Sequence, residues 1–224
     1  MRRSVLSLAL TTTLACATCR AEELPQLLFQ AIDRHDAAAV EHLLEHDSHL
    51  AATRDAKGHS AVLRALFSVR AEGFTPPKQN TVLAALLRAR PALDFFELCG
   101  TGDDAGVRAA LERDPKLALA WHDIGWSALH FAAFSGDAAT VRALLAAGAM
   151  LDARARNRIQ NTPLLAALLA GQADTAALLI ERGADTLVRQ EGGVAAIHEA
   201  ALSGRRDLVD LLLAHGGDVN ARAD

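Results

Sequence analysis

The chain has 224 residues, enough for one large domain or two small ones. Hydrophobic residues make up 51% and aromatics only 4%, with Ala and Leu dominant and Tyr absent, so closely packed helices are favoured; no run alternates Val, Ile and Thr, which excludes an extensive sheet. The net charge is −4, and on this reading no basic cluster lies inside the repeating region, which makes nucleic acid a poor candidate partner.

Residues 1–21 stand apart from the rest. Met1-Arg2-Arg3-Ser4 is basic, and Val5 to Ala17 is apolar or small and uncharged. Cys19-Arg20-Ala21 then sets small residues three before and one before a cut ahead of Glu22-Glu23. That three-part layout predicts a secretory signal peptide and a periplasmic or secreted protein. The apolar run is too short for a spanning helix, so the mature form is expected to have no membrane segment. Two alternatives stay open. Cys16, after Leu14-Ala15, fits a lipid-attachment cysteine except that Thr13 stands where Leu is preferred. A misassigned start or an unstructured tail would instead leave a cytoplasmic protein. Cleavage after Ala21 removes Arg2, Arg3 and Arg20 from the 23 basic residues, taking the charge to −7 and leaving Cys99 as the single cysteine. A lone thiol forms no internal disulfide, so stability must come from packing.

Beyond this segment a beat sets in. Gly102, Gly136, Gly171 and Gly204 recur 34, 35 and 33 residues apart, and Gly148, Gly183 and Gly216 keep the period 12 residues later. A fixed period of this size means one supersecondary unit, copied and stacked. In chain order, Leu27, Leu28, Ala31 and Ile32, then Val40, Leu43 and Leu44, predict a first helix pair. Gly58-His59-Ser60-Ala61-Val62-Leu63 opens a second copy. Its Leu86-Leu87 pair comes too late by about nine residues, and Gly73-Phe74-Thr75-Pro76-Pro77 reads as an inserted loop. Asp94-Phe95-Phe96-Glu97 has capping-box spacing and starts a third unit, running through Gly102, Val107 and Leu111 to Asp114-Pro115.

The clearest unit follows: Gly125-Trp126-Ser127-Ala128-Leu129-His130-Phe131-Ala132-Ala133, then Gly136, Val141, Leu144-Leu145 and Gly148-Ala149. The next copies carry Thr162-Pro163-Leu164 with Gly183-Ala184-Asp185, and Gly193 to Ala201 with Gly217-Asp218-Val219-Asn220. Ser127 and Thr162 are suited to cap helices by accepting a backbone N–H bond, and Pro163 sits where its missing N–H costs nothing. The central glycines fall between two helical stretches, where a left-handed turn is needed. The paired leucines give the second helix apolar bulk to set against the next copy.

These residues resemble the ankyrin repeat. The resemblance covers about residues 26–224 and implies an all-α solenoid of about six helix-turn-helix repeats with short β-hairpin-like turn tips. The repeats are expected near 26–57, 58–93, 94–122, 123–156, 157–190 and 191–224. It also implies that His130 and His198 bond across to the backbone of neighbouring turns; at the equivalent position Leu165 replaces the histidine, which argues against a shared catalytic role. Cys99 aligns with Ala133 on the inner helix, as a small buried hydrophobe.

His42, His46 and His49 have a spacing that aligns imidazoles on one helical face, with His35 and Asp47 nearby, but His49 is expected past the helix end. The His-Asp pairs at 35–36 and 46–47 are read as solvated helix ends. No phosphate loop, Cys-x-x-Cys pair or nucleophile elbow is present in the mature region. No enzymatic activity, cofactor or metal is therefore expected.

The resemblance implies binding through the turn tips and the exposed side of the first helices, on a concave face. Aligned by repeat, those positions are Trp126, Phe134 and Ser135, then Ile159, Asn161 and Leu169, then Glu191, Val194 and Leu202. An exposed row of Trp, Phe, Ile and Leu has the character of an interface core; the alternative is that Trp126 and Phe134 fold back over neighbouring turns. The inserted stretch Ala71 to Asn80 is a second candidate contact. The expectation is an exported, monomeric, non-enzymatic protein-binding module, in the manner of an immunity or envelope-accessory protein, with a cytoplasmic adaptor as the alternative and a metal-binding envelope protein as a third.

Overall fold

The computed structural model describes residues 20–70, 73–74 and 79–223. The predicted signal peptide lies outside the described residues apart from Arg20 and Ala21, which open the first helix. The described chain is helical, and its contacts divide it into two compact units, one ending at Ala92 and one beginning at Leu93.

The first unit holds two helix pairs. Helix α1 (Arg20–Asp33) pairs with α2 (Ala37–His46), and α3 (Ala61–Leu66) with α4 (Thr81–Arg88). A short 3-10 helix, Ser48–Ala52, follows α2. Leu28, Ile32, Val40, Leu43, Leu66, Val82 and Leu86 fill the core, at the helical spacing that the sequence sets out. Charged groups tie the rim: Arg64 makes two 2.8 Å bonds to the Asp33 carboxylate and a third, at 3.2 Å, to Asp55.

The insertion lies between α3 and α4. Its described part is a minimal hairpin, β1 (Val69–Arg70) against β2 (Gly73–Phe74), antiparallel, with Val69 opposite Phe74. Residues 71–72 and 75–78 lie outside the described residues, so most of the Ala71–Asn80 contact candidate does too. Asn80 closes the insertion. Its side chain accepts from the Leu83 N–H, capping α4, and its amide donates at 2.7 Å to the Ala65 carbonyl at the end of α3. One buried residue thus satisfies both helix ends that the insertion separates.

The second unit stacks four pairs: α5 (Phe95–Thr101) with α6 (Asp104–Arg113), α7 (Ala128–Ser135) with α8 (Ala138–Ala146), α9 (Pro163–Leu169) with α10 (Ala173–Glu181), and α11 (Ala196–Leu202) with α12 (Arg206–Ala214). First helices touch first helices along one row, and second helices touch second helices along the other. Asp94 and Glu97 form the expected capping box on α5, at 2.9 and 2.8 Å. Thr162 caps α9 through the Leu165 N–H, with Pro163 in the first turn. Ser127 differs: its hydroxyl turns 2.8 Å from His130 Nδ1 and gives α7 no side-chain cap.

Left-handed glycine turns join the two helices of each pair in the second unit, as the glycine period predicts; Gly136 has φ of +75°. A Cβ there would stand 2.1 Å from the Gln172 side chain, which crosses the turn to donate to the Phe134 carbonyl. Between pairs the chain folds into small hairpins, closed by bridges between Trp121 and Ser127 and between Arg189 and Ala195. Among the described residues no helix is long and apolar enough to cross a membrane.

Candidate partner-binding face

Three hairpin tips of the second unit, together with the ends of α9 and α11, carry the residues that the repeat alignment selects. Each tip is closed by a backbone bond. His122 N–H donates to Trp126 O at 2.8 Å and Gln190 N–H to Val194 O at 3.0 Å. In the middle tip the closing bond runs from Ala155 N–H to Asn161 O at 2.8 Å, so this tip is longer by two residues than its neighbours. Asn157 organises the excess, its side-chain oxygen accepting from the Ile159 and Gln160 N–H groups, with Gln160 at a left-handed φ of +54°.

The tips are bonded to one another. Arg156 N–H donates to Gly125 O at 2.7 Å, Asn157 Nδ2 to Ile124 O at 3.1 Å, and Glu191 N–H to Ile159 O at 2.9 Å. Beneath them His130 Nε2 lies 3.0 Å from the Asn161 carbonyl, and His198 Nε2 lies 2.9 Å from that of Ala221. A carbonyl only accepts, so each Nε2 carries the proton, leaving Nδ1 to accept from the Ser127 or Ala195 backbone N–H. The bonding across turns that the resemblance implies for both histidines is therefore present. Burial holds His130 well below the usual imidazole range, at about 4, so the ring is neutral. Leu165, at the equivalent place in the next repeat, is buried.

Against this geometry the predicted row divides. Leu202 is 82% exposed, Ile159 51% and Leu169 46%, while Glu191 is exposed and Val194 half-buried. Leu169 and Leu202 are the last residues of α9 and α11, so they occupy equivalent positions on neighbouring first helices. Four members of the row are not on the surface. Trp126 is 6% exposed and Phe134 1%, and Ser135 and Asn161 are buried as well. Trp126 folds inward, stacked on His130 at 5.7 Å and edge-on to Phe131 and Phe134 at 5.6 and 5.3 Å. Ser135 turns its hydroxyl to the Ala132 carbonyl, and Asn161 is held by the His130 bond. The physical reason for Phe134 and Ser135 is that α7 is packed all round, every residue from Ala128 to Ser135 being buried. Trp126 folds onto that helix, and Asn161 is bonded to it through His130. The sequence carried that signal, since His130 and the terminal Ser135 are the only polar residues of the helix, and a helix apolar on every side has no solvent face.

The long tip also holds a basic group that the sequence reading passed over. Arg154, Arg156 and Arg158 alternate along it, correcting the expectation that the repeats hold no basic cluster. The Arg156 guanidinium lies 4.0 Å from the centre of the Trp121 ring, within cation–π range. Arg154 donates to the Arg189 carbonyl at 2.8 Å, and Arg189 in turn to the Arg222 carbonyl. The signal in the sequence is two extra residues in one turn, with a basic residue at every second position.

Other candidates have structural roles. Cys99 is fully buried, and burial, reinforced by the Asp94 charge, pushes its thiol far above the usual range, so no thiolate is available. His42 and His46 meet edge to face at 4.7 Å on α2, and His49 lies past the helix end in the 3-10 turn, as expected. Among the described residues no three His, Cys, Asp or Glu side chains are grouped to hold a metal ion.

Comparison with known proteins gives this architecture relatives. The chain is 36% identical over 121 residues to a transient receptor potential cation channel subfamily A member 1 homolog of Caenorhabditis elegans, and 43% identical over 101 residues to Protein PhlB of Serratia liquefaciens. The matches take in 54% and 45% of this chain, but only 10% of the first relative and 43% of the second. The family model for ankyrin repeats in three copies matches residues 99–190 and again 149–223, together more than half of the chain. With the stacked helix pairs, left-handed glycine turns and cross-turn histidines already described, this places the chain in the ankyrin-repeat family.

Proposed function

We propose that this protein is an exported, non-enzymatic binding module that holds a partner protein against the tips and first-helix ends of its second unit. Ankyrin repeats are a protein–protein interaction fold, and that much follows from family membership. The observation that carries the finer reading is the pair Leu169 and Leu202, exposed at equivalent positions of adjacent helices, with Ile159 exposed on the hairpin tip of the same repeat as Leu169. Left in water, Leu202 forgoes about 2 kcal/mol of burial that a partner would supply, and the half-exposed Leu169 about 1 kcal/mol. Glu191 and Val194 complete the contact, and the residues that hold it in shape are Trp126, Phe134, Ser135 and Asn161.

Export rests on the layout of residues 1–21, and it makes the partner a periplasmic or extracellular protein, such as a toxin that is masked or an envelope enzyme that is supported. The test is a pull-down from the native host comparing wild type with Leu169→Glu plus Leu202→Glu, with the mature N-terminus sequenced. A protein retained by wild type and lost by the variant supports the reading, and a start at Glu22 supports export. A partner kept by both moves the interface elsewhere. A chain recovered with Met1 intact favours the cytoplasmic adaptor.

A further inference from the structure

Residues 153–173 contain three arginines and no acid, in a chain whose net charge is −4. All three arginines, Arg154, Arg156 and Arg158, lie on the long tip, and all three are exposed. Arg154 is occupied, bonded to the Arg189 carbonyl and, more weakly, to Gln160. Arg156 is stacked on Trp121, and its guanidinium makes no hydrogen bond or ion pair among the described residues; the Arg158 side chain has no partner among them at all. Two forked cations thus belong to a loop whose backbone is fixed on both flanks, at Gly125 and at Glu191, and internally by Asn157. A guanidinium that is stacked and unpaired is set up for a carboxylate at little entropic cost.

We propose that this tip is the contact for an acidic segment of the partner protein, Arg156 and Arg158 pairing with its carboxylates while exposed Ile159 receives a neighbouring apolar side chain. The proposal rests on the protein-binding reading above and adds the chemistry of the partner. A continuous polyanion fits less well. Asp123 and Glu191 sit on the tips at either side, the former paired with His122, and would repel phosphates running past the arginines. Ile159, half in water beside Arg158, also has no use for a phosphate backbone.

The test is selection of a random-peptide display library on the full chain. Selected peptides are then measured by fluorescence anisotropy at low and high salt against wild type, Arg158→Gln and Arg156→Gln with Arg158→Gln, beside a labelled DNA duplex. The expected result is a pool enriched in Asp and Glu, about tenfold weaker binding by the double variant, and a shallower salt dependence. Arg158→Gln alone, which breaks no polar contact in the described protein, should show part of the loss with an unchanged melting temperature. A pool without acidic enrichment, no selection above the blank, acidic peptides that bind both forms equally, or DNA bound more tightly than peptide overturns the proposal. Peptides indifferent to the arginines but lost with Leu169→Glu and Leu202→Glu overturn it while leaving the protein-binding reading standing.

Discussion

Two glycines with the same backbone need show how differently a single Cβ is felt. Gly171 has φ of +67° and open space where a Cβ would go, so a substitution there meets backbone strain alone. Gly125 has φ of +86°, and its Cβ would stand 2.7 Å from the Arg156 carbonyl carbon, at the point where the long tip leans on its neighbour. Gly171→Val should cost somewhat more than ~1 kcal/mol, while Gly125→Ala, adding a clash with backbone to the strain, should cost about 3 kcal/mol. Denaturant melts of the two variants check the order; equal losses would mean that the tips are not in close contact. His130 sets a pH dependence at the same scale. Its folded form is held near 4 by burial, below the ~6.5 of an unfolded histidine. The unfolded chain therefore takes up the proton first. Its contribution is fully present above that unfolded value and is lost as pH falls toward 4, by at most roughly 3 kcal/mol. His130→Leu, which copies the natural leucine at Leu165, should flatten that part of the stability-against-pH curve even though it lowers stability at pH 7 by leaving the Ser127 N–H without its acceptor.

At the scale of elements, caps and tips divide the work. The helices are short, seven to ten residues in the second unit, and such helices are marginal unless their ends are satisfied and their faces packed. α5 is closed by the reciprocal Asp94–Glu97 box, so Asp94→Ala should cost about 1 kcal/mol, read as a lower denaturation midpoint with unchanged m-value. The tips work by a different means: they carry few buried apolar groups and are held by backbone bonds from one to the next. That arrangement keeps a polar, rigid edge at the surface, where lengthening one tip by two residues adds side chains without disturbing the stack. The inserted segment of the first unit follows the same logic, with Asn80 bonding both helix ends it separates.

At the scale of the whole molecule, the two compact units each own a core. Leu129, Phe131, Leu144, Leu164 and Leu179 are fully buried, and each helix pair within residues 93–224 is packed on the next. A fragment of residues 93–224 should therefore fold by itself, with helical circular dichroism and a single cooperative melt. A fragment without a cooperative transition would show that the second unit draws stability from the first. The family match over residues 99–223 lies wholly within this unit.

What the sequence determined by itself is whatever depends on local geometry repeated at a fixed period. The 33- to 35-residue spacing of the glycines specified the helix pairs and their left-handed turns, the capping box at Asp94 specified where α5 begins, and the alignment of His130 and His198 with the ankyrin pattern placed their cross-turn bonds. Each of these is decided by residues close in the chain or one period away. Which side chains reach water was legible only where a whole helix is apolar, as in Ala128–Ser135; elsewhere the tertiary structure decided it. Trp126 and Phe134 align with surface positions, yet an inner helix packed between two others and covered by its own partner leaves them no free side, while Leu169 and Leu202, at the ends of equivalent helices, stay exposed. Two added residues in one tip likewise show in the sequence as extra length and charge, but not as a shape. Only when that tip is clamped between its neighbours does Arg156 settle over Trp121, with Arg158 beside it. Periodicity gives the register of a solenoid; exposure depends on the neighbours that stacking brings together.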